Sequence, residues 1–171
     1  VNMMYGLRKF LLSITVISSS ICHGQYKYPF LNPASSIEKR VNDLLSRLTT
    51  DEKISLLLYN SPGVERLGIP KYNWWNEALH GVARAGRATV FPQAIGMAAT
   101  FDDSLIQKVA DAISDEARAK YNAAIKNNNR SQYLGLTFWS PNINIFRDPR
   151  WGRGHETYGE DPYLTGRIGS A

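Results

Sequence analysis

The length, composition and charge of this chain are those of a globular protein. Its 171 residues are 43% hydrophobic and 20% charged, which excludes a disordered chain and suits a single domain. The net charge is +5, and it falls to +3 without the first 24 residues. Because this excess is small and the basic residues are scattered, the composition argues against nucleic-acid binding, although the pI is about 9.4.

Residues 1–24 have the pattern of a secretory signal peptide. Two basic residues at 8–9 precede the apolar run 10–17, and small residues follow. The run is too short to span a bilayer, which needs about 20 apolar residues. We therefore expect no membrane span, and cleavage after Gly24 or Cys22. A buried N-terminal helix is the alternative interpretation.

Cys22 is the only cysteine of the chain. If the signal peptide is removed, no disulfide, thiolate nucleophile or cysteine-based metal site is possible. A lipid anchor at Cys22 is disfavoured, because Ser19 stands where a branched apolar residue is expected. An exported protein without disulfides suits a bacterial periplasm or cell surface better than an animal secretion. We therefore predict an exported, periplasmic or extracellular bacterial protein.

The first third of the mature chain predicts two helices joined by a short junction. Residues 25–34 are rich in aromatics and prolines and are expected to be extended. Ser35 with Glu38, and Thr49 with Glu52, form two capping boxes, each followed by apolar residues at helical spacing. These apolar residues are Ile37, Val41, Leu44, Leu45 and Leu48 in the first helix, and Ile54, Leu57 and Leu58 in the second.

The remainder of the chain predicts short strands in alternation with helices. Strands are expected at 72–75 and 136–139, and the end of a further strand is expected at 90–92. Helices are expected at 93–99, from a cap at Asp103 or Ser104 to near Lys126, and from Asp161-Pro162 onward. This alternation predicts an α/β fold with functional loops at the C-terminal ends of the strands.

Two tryptophans and a glutamate form the first candidate site. In an extended segment Trp74 and Trp75 would point to opposite faces, so that one joins the core and the other lines a pocket. A tryptophan face can stack on the C–H-rich face of a sugar ring, and Glu77 could accept hydrogen bonds from hydroxyls. The alternative is that both tryptophans are core residues and that Glu77 is a solvated charge.

A charged loop near the end of the chain forms the second candidate site. Trp139 leads into residues 147–162, which carry three arginines and four carboxylates. Such a density of charge cannot be buried unless the charges pair. Arginine donors and carboxylate acceptors can also clasp the hydroxyls of a polyol. We expect both sugar contacts and internal salt bridges here.

No spacing of the three histidines predicts a metal site, and no phosphate-binding loop is present. We therefore expect neither a metal nor a cofactor.

Three motifs together closely resemble glycoside hydrolase family 3. They are Trp74–Val82, Val90–Asp102 and Arg147–Pro162. They follow one another in the order and at the spacing of that family, and the resemblance runs from about residue 37 to the end of the chain.

The resemblance implies that residues 25–171 are the N-terminal portion of an incomplete (β/α)8 TIM-type barrel, which in full has about 250 residues. It also implies exo-acting, retaining hydrolysis of β-linked sugars by two carboxyl groups about 5–5.5 Å apart. In the family the aspartate nucleophile, the acid/base glutamate and a sugar-binding Lys-His pair would lie beyond Ala171. We therefore expect a fragment that contains no catalytic residue and is inactive alone.

The resemblance also implies which residues bind sugar. Glu77 matches an acidic residue that binds ring hydroxyls, and Arg153 matches the sugar-binding arginine of the family. Trp139 matches an aromatic position of the same subsite in xylosidase-like members, and Trp75 is a weaker candidate nearby. Four charged residues of the loop are expected to serve loop structure instead: Asp148, Arg150, Glu156 and Asp161.

Glu77 also indicates the substrate. Many glucosidases of the family have Asp at this place, and the longer Glu would occupy space near the C6 hydroxymethyl of a hexose, which a pentose lacks. We therefore expect a β-1,4-xylosidase acting on plant cell-wall oligosaccharides. A β-glucosidase, binding gluco-oligosaccharides, is the alternative. A non-catalytic sugar-binding remnant is the third interpretation, although uncovered barrel edges would then favour aggregation.

Overall fold

The computed structural model describes residues 26–171, so the predicted signal peptide and Cys22 lie outside the described part and stay predictions. The described residues 26–47 belong to one compact unit, and residues 48–171 form another.

The described part of the first unit is a short 3-10 helix, Pro29–Leu31, followed by helix α1, Ile37–Arg47. Asp43 of α1 accepts a hydrogen bond from the backbone N–H of Phe30 (3.0 Å) and is paired with Arg47. At the start of α1 the hydroxyl of Ser36 accepts from the N–H of Lys39 (3.4 Å). The capping residue predicted at Ser35 is therefore displaced by one position.

The second unit contains four α-helices and one small sheet. The helices are α2, Thr50–Ser55; α3, Ala94–Ala98; α4, Asp103–Lys126; and α5, Pro162–Ser170. The strands are β1, Asn60–Ser61, and β2, Tyr72–Asn73, which pair antiparallel. Three 3-10 helices lie between these elements, at Glu65–Leu67, Ala83–Ala85 and Gly154–Glu156.

Local side-chain signals fix the starts of three helices. Thr49 and Glu52 form the predicted capping box of α2, and Asp161 caps α5 by accepting from the N–H of Leu164. The long helix α4 has the predicted extent, but its cap is Asp102, whose carboxylate accepts from the N–H of Leu105. The predicted caps at Asp103 and Ser104 are thus wrong by one or two residues. Helix α2 also ends at Ser55, before the predicted Leu57 and Leu58.

The core of the second unit has two clusters of small and medium-sized apolar residues. One joins α3, α4 and α5 around Met97, Ile106 and Ile168, and Tyr158 packs into it. The other joins Ala78 and Val82 to Ala117 of α4. Helix α4 contributes to both clusters because its buried residues recur at helical spacing along one face of the helix.

The predicted α/β alternation is present only in part. Strand β2 lies within the predicted 72–75, but residues 90–92 form no strand, and 136–139 makes only an isolated parallel bridge between Phe138 and Asn76. At the start of this last segment, side-chain oxygens accept the backbone hydrogen bonds that a neighbouring strand would otherwise accept. The N–H of Gly135 donates to the Asn76 side chain (2.7 Å), and the N–H of Leu136 donates to the Tyr72 hydroxyl (2.8 Å). Among the described residues no parallel pairing extends beyond isolated bridges.

Acidification is expected to destabilise the second unit through Glu52. The Arg66 guanidinium and the N–H of Thr49 hold the pKa of Glu52 at about 2, below its ordinary value of 4.5. Because the pKa is depressed in the folded state, this stabilisation is complete above pH 4.5 and is lost as the pH falls towards about 2. We expect the melting temperature to fall less steeply over this window in Glu52→Gln than in the wild type. Equal slopes in thermal melts would contradict this assignment.

Candidate functional site

The two adjacent tryptophans follow strand β2 and their indole N–H groups donate to different partners. The side chain of Asn73 accepts from the backbone N–H of Trp75 (2.9 Å), which fixes the turn at the end of the strand. The indole N–H of Trp74 donates to the hydroxyl of Ser61 (3.0 Å), whereas that of Trp75 donates to Glu77 (3.1 Å). The two side chains are 46% and 39% exposed. The expectation that one of them joins the core is therefore wrong.

Trp139 joins Trp75 to form an exposed aromatic surface. The two rings stack with their centroids 5.6 Å apart and their planes inclined by 30°. The indole N–H of Trp139 donates to the carbonyl of Trp74 (3.2 Å), and its backbone N–H donates to the carbonyl of Asn76 (3.0 Å). Trp139 is 63% exposed, so the segment 136–139 is not the buried strand that its sequence predicts. The pair instead offers aromatic surface to solvent beside Glu77.

Asn76 holds the segments of this surface together. Its side chain is fully buried, its amide N–H₂ donates to the carbonyl of Asn73 (3.1 Å) and the hydroxyl of Thr137 (3.2 Å), and its carbonyl oxygen accepts from the N–H of Gly135. A Cβ at Gly135 would lie 2.6 Å from the Asn76 nitrogen, so only glycine permits this approach. Asn76 thus fixes the segment that carries Trp139 against the segment that carries Trp75 and Glu77.

Glu77 lies at the edge of a polar cleft of about 260 Å³, which His80, His155 and Glu156 also line. Both carboxylate oxygens of Glu77 have a partner. One accepts from the Trp75 indole, and the other lies 3.0 Å from Nε of Arg84. The second oxygen atom therefore belongs to a salt bridge whose two side chains remain partly exposed.

Arg153 lies on a neighbouring cleft of about 310 Å³, together with Trp139 and Trp151. It forms a bidentate salt bridge with Glu156, in which Nε donates to Oε1 (3.0 Å) and Nη2 donates to Oε2 (2.5 Å). This pairing raises the pKa of Arg153, and the negative charge of Glu77 raises it further. Glu77 and Arg153 are therefore close enough to interact electrostatically, although the hydrogen bonds of Arg153 go to Glu156.

The other charged residues of the 147–162 loop make contacts within the loop. Arg150 pairs with Asp148 (2.6 Å), and Asp161 caps α5. The pKa of Asp148 is lowered by Arg150, and that of Glu156 by Arg153, as expected for carboxylates in salt bridges. These contacts agree with the structural role expected of these residues.

The structure thus brings Trp75 into contact with both Trp139 and Glu77, and it places Arg153 on the neighbouring cleft. Asn76 and Arg84 hold this arrangement, and neither is predicted from the sequence. Asn76 lies inside the Trp-Trp-Asn-Glu run, but nothing in the sequence shows that it is buried. A larger cavity of about 450 Å³ lies elsewhere, and mainly apolar residues of α4 and its neighbours line it. Because it holds few polar groups, we do not assign it to sugar binding.

Among residues 26–171 no cluster of three or more potential metal ligands occurs. Over the same range, no helix has the length and apolar character needed to cross a bilayer.

Comparisons with known proteins identify the family. The family model described as "Glycosyl hydrolase family 3 N terminal domain" matches residues 49–171. The chain is 53% identical over 143 residues to a protein named xylan 1,4-beta-xylosidase from Xylanibacter ruminicola, covering 82% of this chain and 17% of that protein. It is 54% identical over 154 residues to a probable beta-D-xylosidase 7 from Arabidopsis thaliana, covering 84% and 19%.

A solved structure has the same fold over most of the chain. It is a GH3 exo-beta-xylosidase (XlnD) in complex with a xylobiose aziridine activity-based probe, with a TM-score of 0.69 and 38% identity, covering 82% of this chain and 18% of that one. The chain therefore spans less than a fifth of the length of these relatives. The match over residues 49–171 shows that this chain belongs to glycosyl hydrolase family 3, in its N-terminal domain.

Proposed function

We propose that this chain forms the front of the xylose-binding subsite of an exo-acting, retaining β-xylosidase built on a (β/α)8-type barrel. The observation that carries the proposal is a pair of stacked, exposed indole rings, one of which donates to a carboxylate at the rim of a polar cleft. Aromatic faces bind the C–H face of a sugar, and the carboxylate accepts from its hydroxyls.

The names of the relatives support the choice of sugar. The bacterial and plant proteins described above are named xylosidases, and the solved relative is bound to a xylobiose-derived probe. Glu77 also favours a pentose. Its side chain is one methylene longer than that of Asp, and it would occupy the space that the hydroxymethyl group of glucose needs.

Each residue of the subsite has a distinct role in this proposal. Glu77 accepts hydrogen bonds from hydroxyls on the far side of the ring, since it already holds one oxygen on Trp75 and one on Arg84 and keeps further lone pairs. Arg153 donates from its remaining N–H groups to hydroxyls at the neighbouring cleft. Trp75 and Trp139 provide the stacking surface between these polar groups.

Direct binding of disaccharides to the chain tests this proposal. We expect xylobiose to bind more tightly than cellobiose in isothermal titrations, and Trp139→Ala to weaken xylobiose binding about tenfold, equivalent to ~1.4 kcal/mol of lost stacking. Tyr163→Ala removes an even more exposed aromatic side chain from α5 and is expected to leave binding unchanged. Tighter binding of cellobiose would favour a β-glucosidase, and an unaltered affinity in Trp139→Ala would contradict the assignment of the stacking surface.

A further inference from the structure

Arg84 connects Glu77 to a part of the chain that is distant in sequence. It lies in the 3-10 helix Ala83–Ala85, and its Nε lies 3.0 Å from the second oxygen of Glu77. Its Nη1 donates to the hydroxyl of Tyr133 (3.1 Å), and the guanidinium lies 5.7 Å from the centroid of the Tyr133 ring. Arg84 therefore has two fixed partners, although it is itself exposed.

Tyr133 is a firm anchor for Arg84 because its backbone is held in an unusual conformation. Its φ of 68° lies in the left-handed region, which non-glycine residues rarely adopt unless their surroundings hold them there. The N–H of Tyr133 donates to the carbonyl of Trp75 (3.0 Å). Tyr133 is therefore attached to the same segment that carries Trp75 and Glu77, so that Arg84 closes a ring of contacts around the carboxylate.

The charges of the site are arranged as two separate ion pairs. Glu77 is paired with Arg84, and Arg153 is paired with Glu156. The negative charge of Glu77 acts on Arg153, yet Arg153 hydrogen-bonds to Glu156 and Glu77 pairs with Arg84. A direct Glu77–Arg153 salt bridge would use the donors and acceptors that a sugar needs.

We propose that Arg84 is a positioning residue that holds the Glu77 carboxylate towards the sugar hydroxyls and keeps it from pairing with Arg153. This inference rests on the proposed function, because it assigns a purpose to the orientation of Glu77. The proposed role of Arg84 does not require the Arg84–Glu77 ion pair to stabilise the folded state. An ion pair this exposed contributes little to the free energy of folding. The role proposed for the Arg84–Glu77 pair is therefore to set the position of the carboxylate.

The test compares Arg84→Ala, Arg84→Lys and Tyr133→Phe in the same chain. We expect Arg84→Ala to weaken xylobiose binding about tenfold, the loss typical of a misplaced charge-assisted hydrogen bond. Arg84→Lys keeps a cation and is expected to recover part of the affinity. Tyr133→Phe keeps the ring but removes the hydroxyl and is expected to give a smaller loss. Arg150→Ala breaks the more exposed pair with Asp148 and is expected to bind as the wild type does.

A spectroscopic signal distinguishes failure of this inference from failure of the proposed function. The indole N–H of Trp75 donates to Glu77, so its NMR resonance reports the position of the carboxylate without any ligand. We expect it to shift in Arg84→Ala but not in Arg150→Ala, with melting temperatures within about 2 °C of the wild type. If the resonance does not move in Arg84→Ala, or if that variant binds xylobiose normally, the positioning role is overturned. If the resonance moves but even the wild-type chain binds no xylobiose, only the proposed function fails, and Arg84 still positions Glu77.

Discussion

Replacing Asn76 by alanine is expected to lower the free energy of unfolding by roughly 3–4 kcal/mol. The side chain is fully buried and satisfies the N–H of Gly135 and the carbonyl of Asn73 while it also bonds Thr137. Alanine would leave these groups without their partner in the interior, and each such group costs about 1–3 kcal/mol. Since a domain has only about 5–15 kcal/mol of stability in total, the loss should be evident in urea denaturation followed by tryptophan fluorescence.

Two further variants keep the Asn76 prediction testable. Thr137→Val removes one hydrogen-bonding partner of Asn76 and is expected to cost about 1 kcal/mol, which remains measurable if Asn76→Ala does not fold. Asn144→Ala removes an exposed asparagine whose amide bonds only to Asn142, and it is expected to change stability by less than about 0.5 kcal/mol. A cost below about 1 kcal/mol for Asn76→Ala would show that Asn76 does not hold the two segments together.

Shortening Glu77 to aspartate is expected to move sugar preference from xylose towards glucose. The side chain loses one methylene, which draws the carboxylate back from the position set by Trp75 and Arg84 and makes room for a hydroxymethyl group. A single group in a pocket typically changes discrimination about 10–200-fold, so we expect at least a tenfold shift in the ratio of kcat/KM values. The ratio is measured with nitrophenyl xyloside and nitrophenyl glucoside on the whole glycosidase.

Glu77→Gln is the matched control, because it keeps the length of the side chain and removes its charge. Glu77→Gln is expected to lower kcat/KM for both substrates while leaving the ratio of the two values close to that of the wild type. A wild-type enzyme that cleaves the glucoside faster, or an Asp variant with an unchanged ratio, would contradict the assignment of Glu77 to pentose selection.

Local signals in the sequence predicted the helices well. The capping box of Thr49 and Glu52, the Asp161 cap and the extent of α4 are all present, because a helix start depends on residues three positions apart. The errors at Ser35 and at Asp103 arose where several residues that can cap a helix are adjacent, so that any one of them could serve as the cap. Sequence spacing does not decide which of them adopts the extended backbone of a cap.

Long-range hydrogen bonds explain why the strand predicted at 136–139 does not form. The segment 136–139 has strand-forming residues, but the donors at its start bond to the Asn76 and Tyr72 side chains, about sixty residues earlier. The same dependence on distant partners applies to the site. The sequence motifs pointed to Trp75, Glu77 and Trp139, which the structure brings together, whereas Arg84 and Tyr133 become visible only when their contacts are known. That these residues bind sugar remains a prediction.

The most direct test of the sugar-binding surface is an NMR titration of the isotope-labelled chain with xylobiose. We expect the indole N–H resonances of Trp75 and Trp139 and the side-chain N–H of Arg153 to shift together with one affinity, while the indole of Trp74, bonded to Ser61, shifts less. Shifts confined to the apolar cavity beside α4, or no shifts at these three side chains at saturating xylobiose, would contradict it.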